Sequence, residues 1–414
     1  MSKRIDPQCI GPASAARKPA GHRVLAASGF TLPALVAAVA ITLSATPALG
    51  DAQPGGNRHE GQYIFRFDTF GDQQLWTTVL RMHEVIPAAV SPATALAVGL
   101  KVDATVLPRN FLAKHDLNDP RTTVELLRRN AVVGVVGKVK GRRLTSVGIT
   151  CALCHSTVDN SVAPGVGKRL DGWPNLDLNP GAIIALSPAL PAEVKAVYNS
   201  WGPGRYDPRF NIDGINGPLV IPPAYGLAGV PFETVTGDGP ISYWNNYVAV
   251  TQMGGHGNFS DPRLGIAIEQ TPDLVTPKLP ALLAYQLSLP APHPPEGSVN
   301  AAAAQRGEVL FNGVARCGTC HIAPTYTDVQ NGPDADTPLL HDAAETGMDA
   351  GYALRSASGK YRSTPLRALW QHPPYFHDGS AATLADVVGH YDTHFALGLT
   401  PEQKADLVEF LKSL

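Results

Sequence analysis

The sequence predicts a mainly α-helical chain of two units joined by a proline-rich linker, with long Gly/Pro-rich loops between the helices. Three observations carry this. Apolar residues recur at helical spacing in several capped segments. Pro and Gly number 37 and 40 among 414 residues, above the average share of roughly 12%. One five-residue motif also occurs twice, as Cys151-Ala-Leu-Cys154-His155 and as Cys317-Gly-Thr-Cys320-His321. Of the five cysteines only Cys9 lies outside these motifs, which leaves no spare pair of thiols for a structural disulfide. With 44% apolar residues the chain can bury a core, so intrinsic disorder and a disulfide-stapled miniprotein are excluded.

Taken in order, residues 1–50 read as a secretory signal peptide. Lys3, Arg4, Arg17, Lys18 and Arg23 precede an uncharged apolar run from Phe30 to Leu43, and Ala48-Leu49-Gly50 offers small residues for cleavage before Asp51. The run is short for the roughly 20 residues of a membrane span. Cleavage leaves 28 basic against 34 acidic side chains, a net charge of −6 that argues against nucleic acid as partner. The expected location is a bacterial periplasm, with no stable membrane insertion after cleavage.

Residues 51–62 are polar and are expected to be flexible. A helical pattern follows Asp72, with Leu75, Trp76, Val79, Leu80 and Met82 on its apolar positions. Another helix is predicted over Pro120–Asn130, capped by Asp119 and opened by Pro120. The valines between Val132 and Leu144 fit a short strand or a buried turn equally well, and Lys138, Lys140, Arg142 and Arg143 follow among them. Residues 158–240 are rich in Gly, Pro, Asn and Asp and read as long ordered loops.

A stiff linker is read at 291–300, where Pro292, Pro294 and Pro295 follow Pro290. It divides a unit at 51–290, holding the first motif and an extra N-terminal segment, from a unit at 301–414 holding the second. The second unit opens with a helix near Ala301–Asn312 and ends with Thr400-Pro401-Glu402-Gln403, a capping box before a helix that aligns Leu407, Leu411 and Leu414.

The motif spacing has a mechanical reason. Two thiols three positions apart reach the two vinyl groups of one porphyrin, and the adjacent histidine falls beneath the iron. A thioredoxin-like site needs no histidine there, and a zinc ribbon closes its second Cys pair within about 20 residues, far less than the distance from Cys151 to Cys317. Two covalently held haem c groups are therefore expected, with Cys151, Cys154, Cys317 and Cys320 as attachment points and His155 and His321 as iron ligands. A helix, such a motif and a terminal helix within 301–414 outline a cytochrome c-like domain.

Thr364-Pro365-Leu366-Arg367, Pro374-Tyr375-Phe376-His377-Asp378-Gly379 and Ala382-Thr383-Leu384 occur in order after the second motif. With the two Cys-x-x-Cys-His motifs and their separation, this stretch resembles the C-terminal haem domain of the bacterial di-haem cytochrome c peroxidase and MauG superfamily. The resemblance covers about 301–414, is looser around the first motif and Trp244, and is absent over 51–130. It implies peroxide (or dioxygen) chemistry at the N-terminal haem, held by His155, and electron transfer through the C-terminal one. The donor would be a small redox protein or an organic molecule.

The resemblance also implies that the residue fourteen positions after His377, which is Tyr391, is the distal ligand of the C-terminal haem. His390 and Met348 are its rivals, and a packed core tyrosine is the alternative. Trp244 would lie between the haems or simply pack, His256 or Met253 would be a sixth ligand of the first iron or His256 an exposed loop histidine, and Arg367 would pair with a haem propionate or form a surface salt bridge. Lys138, Lys140, Arg142 and Arg143 would meet propionates or a redox partner, or form a solvated basic face. Relatives hold calcium near Ser363 and Pro365, but the position where they supply an asparagine is apolar here, Val220 or Ile221, which leaves calcium open. The family's distal glutamate, in a Pro-x-Glu-Met context, has no counterpart. That departure keeps a non-enzymatic electron carrier in view, and the resemblance of the tail to di-haem relatives that are oxygenases adds a third reading, an oxygenase for an apolar substrate.

Overall fold

The computed structural model describes residues 57–414, so the expected signal peptide, and with it Cys9, lies outside the described residues. The described chain is mainly helical with a few short strands, and none of its helices is long and apolar enough to cross a membrane. The expectation of a flexible start ends early: Asn57 caps a helix at Arg58–Phe67 by accepting from the N–H groups of His59 and Glu60.

The pattern after Asp72 forms a π-turn at Gln74–Val79, and a separate helix, Met82–Ala89, restarts after Arg81 adopts a left-handed conformation. The predicted 120–130 helix is found at Pro120–Arg128, with Asp119 as cap. The ambiguous valine run resolves as a strand, Val135–Lys140, paired antiparallel with Arg143–Ile149 around a turn at Gly141. Residues 158–240 contain more regular structure than expected, with helices at Pro180–Ala185, Ala192–Asn199 and Phe210–Asp213. Asn179 caps the first of these through the N–H of Ala182, and Pro180 sits at its first position, a local signal embedded in turn-rich sequence.

Three main apolar clusters organise the packing. One gathers Trp76, Leu80, Val124, Leu127, Leu144 and Trp201, and a second Phe65, Phe70, Trp244, Tyr247, Phe259 and Leu282. The third draws on Phe311, Leu384, Val388, Leu407, Phe410 and Leu411, all from the C-terminal hundred residues or so. There the Ala301–Asn312 and Pro401–Ser413 helices cross so closely that a Cβ at Gly307 would lie 2.1 Å from the Asp406 carbonyl oxygen. Between helix Leu279–Gln286 and helix Ala301–Asn312 the proline segment carries no helix or strand. It is pinned by the indole N–H of Trp370, which donates to the Pro292 carbonyl at 3.2 Å.

Candidate haem centres

The strand Arg143–Ile149 delivers the first motif, and Gly134 lets the hairpin lie against it: a Cβ there would come within 2.1 Å of the Leu153 nitrogen, and its φ is +76°. Residues Ala152–His155 form one helical turn, in which the N–H of His155 donates to the Cys151 carbonyl at 3.1 Å. The second motif repeats the arrangement. It follows Arg316 in a left-handed conformation, and the N–H of His321 donates to the Cys317 carbonyl at 3.0 Å.

Both motif histidines are oriented in the same way. Nδ1 of His155 lies 3.0 Å from the Pro222 carbonyl oxygen, and Nδ1 of His321 lies 2.9 Å from that of Tyr326. A carbonyl can only accept, so each ring carries its proton on Nδ1 and presents a bare Nε2, the form that binds a metal. Burial pushes both imidazoles below the ordinary histidine range, which also favours the neutral ring. The four cysteines are unpaired, and burial pushes the Cys151 and Cys154 thiols up to about 12 and the Cys317 thiol up to about 11. Such buried thiols are poor nucleophiles.

Both motifs open on one continuous cavity of about 1080 Å³, beyond the roughly 300–1,000 Å³ of a site for one small ligand. Cys151, Cys154, His155, Cys317, Cys320 and His321 all line it. Trp244, at its wall, is buried with an indole N–H that finds no acceptor among the described residues. That orphaned donor fits a group bringing its own acceptors, as haem brings propionates. The donor set, the ring orientations and the cavity thus fit haem c at both motifs.

The structure also sorts the other candidates. Tyr391 lines the cavity, and burial, with Cys317 and Cys320 close by, pushes its hydroxyl up to about 12. His390 does not line it; its Nε2 is 2.8 Å from the Thr346 carbonyl oxygen. Met348, Met253 and His256 are all on the cavity wall. Arg367 reaches the wall too, but its guanidinium donates to the Gly226 carbonyl and lies 3.2 Å from Glu233, partners that the sequence did not suggest. Lys138, Lys140, Arg142 and Arg143 are exposed at the far end of the hairpin. Lys140 and Arg143 pair near the hairpin turn, about 20 Å along the strand from Ile149, while Lys138 pairs with Ser146 at about half that distance. Ser363 is buried on Thr327 and Asp328, and Val220 gives its N–H to the His377 carbonyl. Missed from sequence were the carbonyls of Pro222 and Tyr326, which any residue type supplies, and Glu233, Asp328 and His341.

Cytochrome-c peroxidase IdrP1 of Denitromonas iodatirespirans is 33% identical to this chain over 151 residues, 27% of this chain and 40% of that protein. The methylamine utilization protein MauG of Methylorubrum extorquens is 30% identical over 131 residues, 27% of this chain and 35% of that protein. The chain is homologous to the cytochrome c peroxidases and MauG. It spans about two fifths of the length of the curated relatives it matches. No protein-family model matches. Among solved structures, a MauG-like protein associated with microbial copper homeostasis aligns at 21% identity over 48% of this chain and 74% of that one, with a TM-score of 0.35. A hydrazine synthase chain of Kuenenia stuttgartiensis aligns at 20% identity over 48% of this chain and 73% of that one, with a TM-score of 0.31. At these scores the superpositions carry no argument.

Proposed function

We propose that the protein is a periplasmic di-haem c-type cytochrome oxidoreductase of the peroxidase and MauG kind. It would reduce hydrogen peroxide with two electrons and two protons to two waters at the N-terminal centre. The electrons would come from a small redox protein or an organic donor and pass through the C-terminal centre. The observation that carries this reading is the single cavity onto which both motifs open, each with its histidine ring locked by a carbonyl.

Cys151 and Cys154 would hold one haem and Cys317 and Cys320 the other, each by two thioethers, with His155 and His321 as proximal ligands and Tyr391 as distal ligand of the second. Haem bound there supplies redox-active iron and a place for peroxide to react. The chain supplies orientation through the Pro222 and Tyr326 carbonyls and exclusion of water through the apolar walls. Trp244 stands at the wall of the shared cavity and would be an aromatic between the centres. The proposed units are 51–290 and 301–414, with 291–300 between them.

One observation favours a second reading. Among the described residues, the carboxylates lining the cavity are Glu233 and Glu345, and both are engaged, the first with Arg362 and Arg367, the second with His341. With no free acid at the wall to deliver protons, a non-enzymatic electron-transfer cytochrome is the alternative. Optical and electron paramagnetic resonance spectra of the purified protein, before and after adding peroxide, separate the two. A high-spin signal that changes with peroxide supports the oxidoreductase, and two low-spin haems that ignore peroxide overturn it.

A further inference from the structure

The carbonyl that orients His321 belongs to Tyr326, whose φ of +51° lies in the left-handed region that disfavours residues with a side chain. Its surroundings hold it there. The Thr327 hydroxyl donates to the Ser363 carbonyl at 2.7 Å, the N–H of Asp328 donates to the Ser363 hydroxyl at 3.0 Å, and that hydroxyl donates to the Asp328 carboxylate. Thr327, Asp328 and Ser363 are all buried. The Asp328 carboxylate also accepts from Nε2 of His341 at 3.1 Å, while Nδ1 of the same ring faces Glu345 at 3.0 Å.

A ring with a carboxylate on each nitrogen donates from both, so His341 is an imidazolium. The Cys320 sulfur, an Asp328 oxygen and a His341 nitrogen lie within 4.8 Å of one another. Read alone, the trio resembles a small metal site, but both nitrogens of His341 are already committed to carboxylates.

We propose that Asp328 and His341 are positioning residues for the C-terminal centre. Asp328, through Ser363, fixes the Tyr326 carbonyl on His321, and His341 neutralises the buried Asp328 charge beside the Cys320 sulfur, so that together they set the reduction potential of that centre alone. The proposal rests on the reading of Cys317, Cys320 and His321 as a haem c site. Its physical basis is that ferric haem carries one more positive charge than ferrous haem, so an uncompensated anion nearby favours the ferric form.

The test is a spectroelectrochemical titration of the holoprotein and three variants, preceded by a haem count on the wild type. His341→Gln leaves Asp328 unpaired. At a fixed potential it should lower the ferrous-to-ferric ratio of the C-terminal haem at least tenfold, 59 mV for one electron, with the N-terminal haem unmoved. Asp328→Asn combined with His341→Gln removes both charges and should bring the ratio back to within about threefold of wild type. His341→Lys keeps a cation and should stay near wild type, which decides the matter should the Gln variant fail to mature. An unchanged ratio in His341→Gln, a double variant that falls as far as the single one, or a shift of both haems together overturns the proposal. A wild-type chain without covalent haem overturns the haem reading itself and is recognised before any variant is made.

Discussion

Tyr391 and His390 are neighbours in sequence, yet only one of them faces the cavity. The Leu384–His394 helix starts at a capping box in which Thr383 and Asp386 satisfy each other's backbone N–H groups, and that start fixes the rotation of every later residue. Tyr391→Phe should therefore alter the absorption and electron paramagnetic resonance features of one haem only, the C-terminal one. An unchanged spectrum would leave Tyr391 as a packing residue. Asp72 carries a second prediction at this scale. It is fully buried, its Oδ2 accepts from the N–H of Ile149 at 2.8 Å, and its Oδ1 has no partner among the described residues. Burial pushes its carboxyl up from 3.8 to about 8. The folded protein thus binds this proton more tightly than the unfolded chain does. The stabilisation is complete below about pH 4 and is lost as pH rises through about 8. Asp72→Asn should flatten the fall of Tm between pH 4 and 8, measured by calorimetry alongside wild type. The motif histidines were legible from sequence because each follows a Cys-x-x-Cys pair at a fixed spacing, whereas the Pro222 and Tyr326 carbonyls leave no mark on residue type.

Helix ends were the most readable elements. Thr400, Pro401 and Gln403 form the capping box they spell out, and Asp119 caps as its position suggests. These signals act within four residues, so no distant contact overrides them. The valine run was undecidable for the opposite reason: a short apolar run fits a strand or a buried turn until its partner strand is known. Gly307 lies between these cases. A glycine inside a helix costs about 1 kcal/mol against alanine, and here it is kept because the Pro401–Ser413 backbone passes where a Cβ would be. Gly307→Ala should destabilise the protein by about 1–3 kcal/mol in denaturant unfolding despite the better helix propensity. Thr400→Ala should cost about 1 kcal/mol in the same measurement.

Across the whole molecule, Glu233 ties the first part of the chain to the last. Its carboxylate takes Arg362 at 3.0 Å and Arg367 at 3.2 Å, and burial pushes the Arg362 guanidinium below its ordinary value despite the pairing. A second tie has Arg355 between Asp207 at 2.9 Å and Asp213 at 2.8 Å. Removing one member of a buried ion pair costs roughly 3–5 kcal/mol. Glu233→Gln should accordingly lower Tm clearly, and more than Thr400→Ala does. The sequence pointed to Arg367 as a cation near the haem, but its partner lies 134 positions upstream, and no local pattern reports such a pair.

The cavity shared by the two motifs also bears on timing. Its walls are mainly apolar, and without porphyrin that surface would be left facing water, a cost set against the roughly 5–15 kcal/mol of net stability a protein of this kind possesses. On the proposed di-haem reading, a newly made chain therefore does not close this interior first and receive its cofactors afterwards. Thioether formation then comes before, or together with, the collapse of the surrounding helices, and a chain that misses that step has no ready-made apoprotein to fall back on.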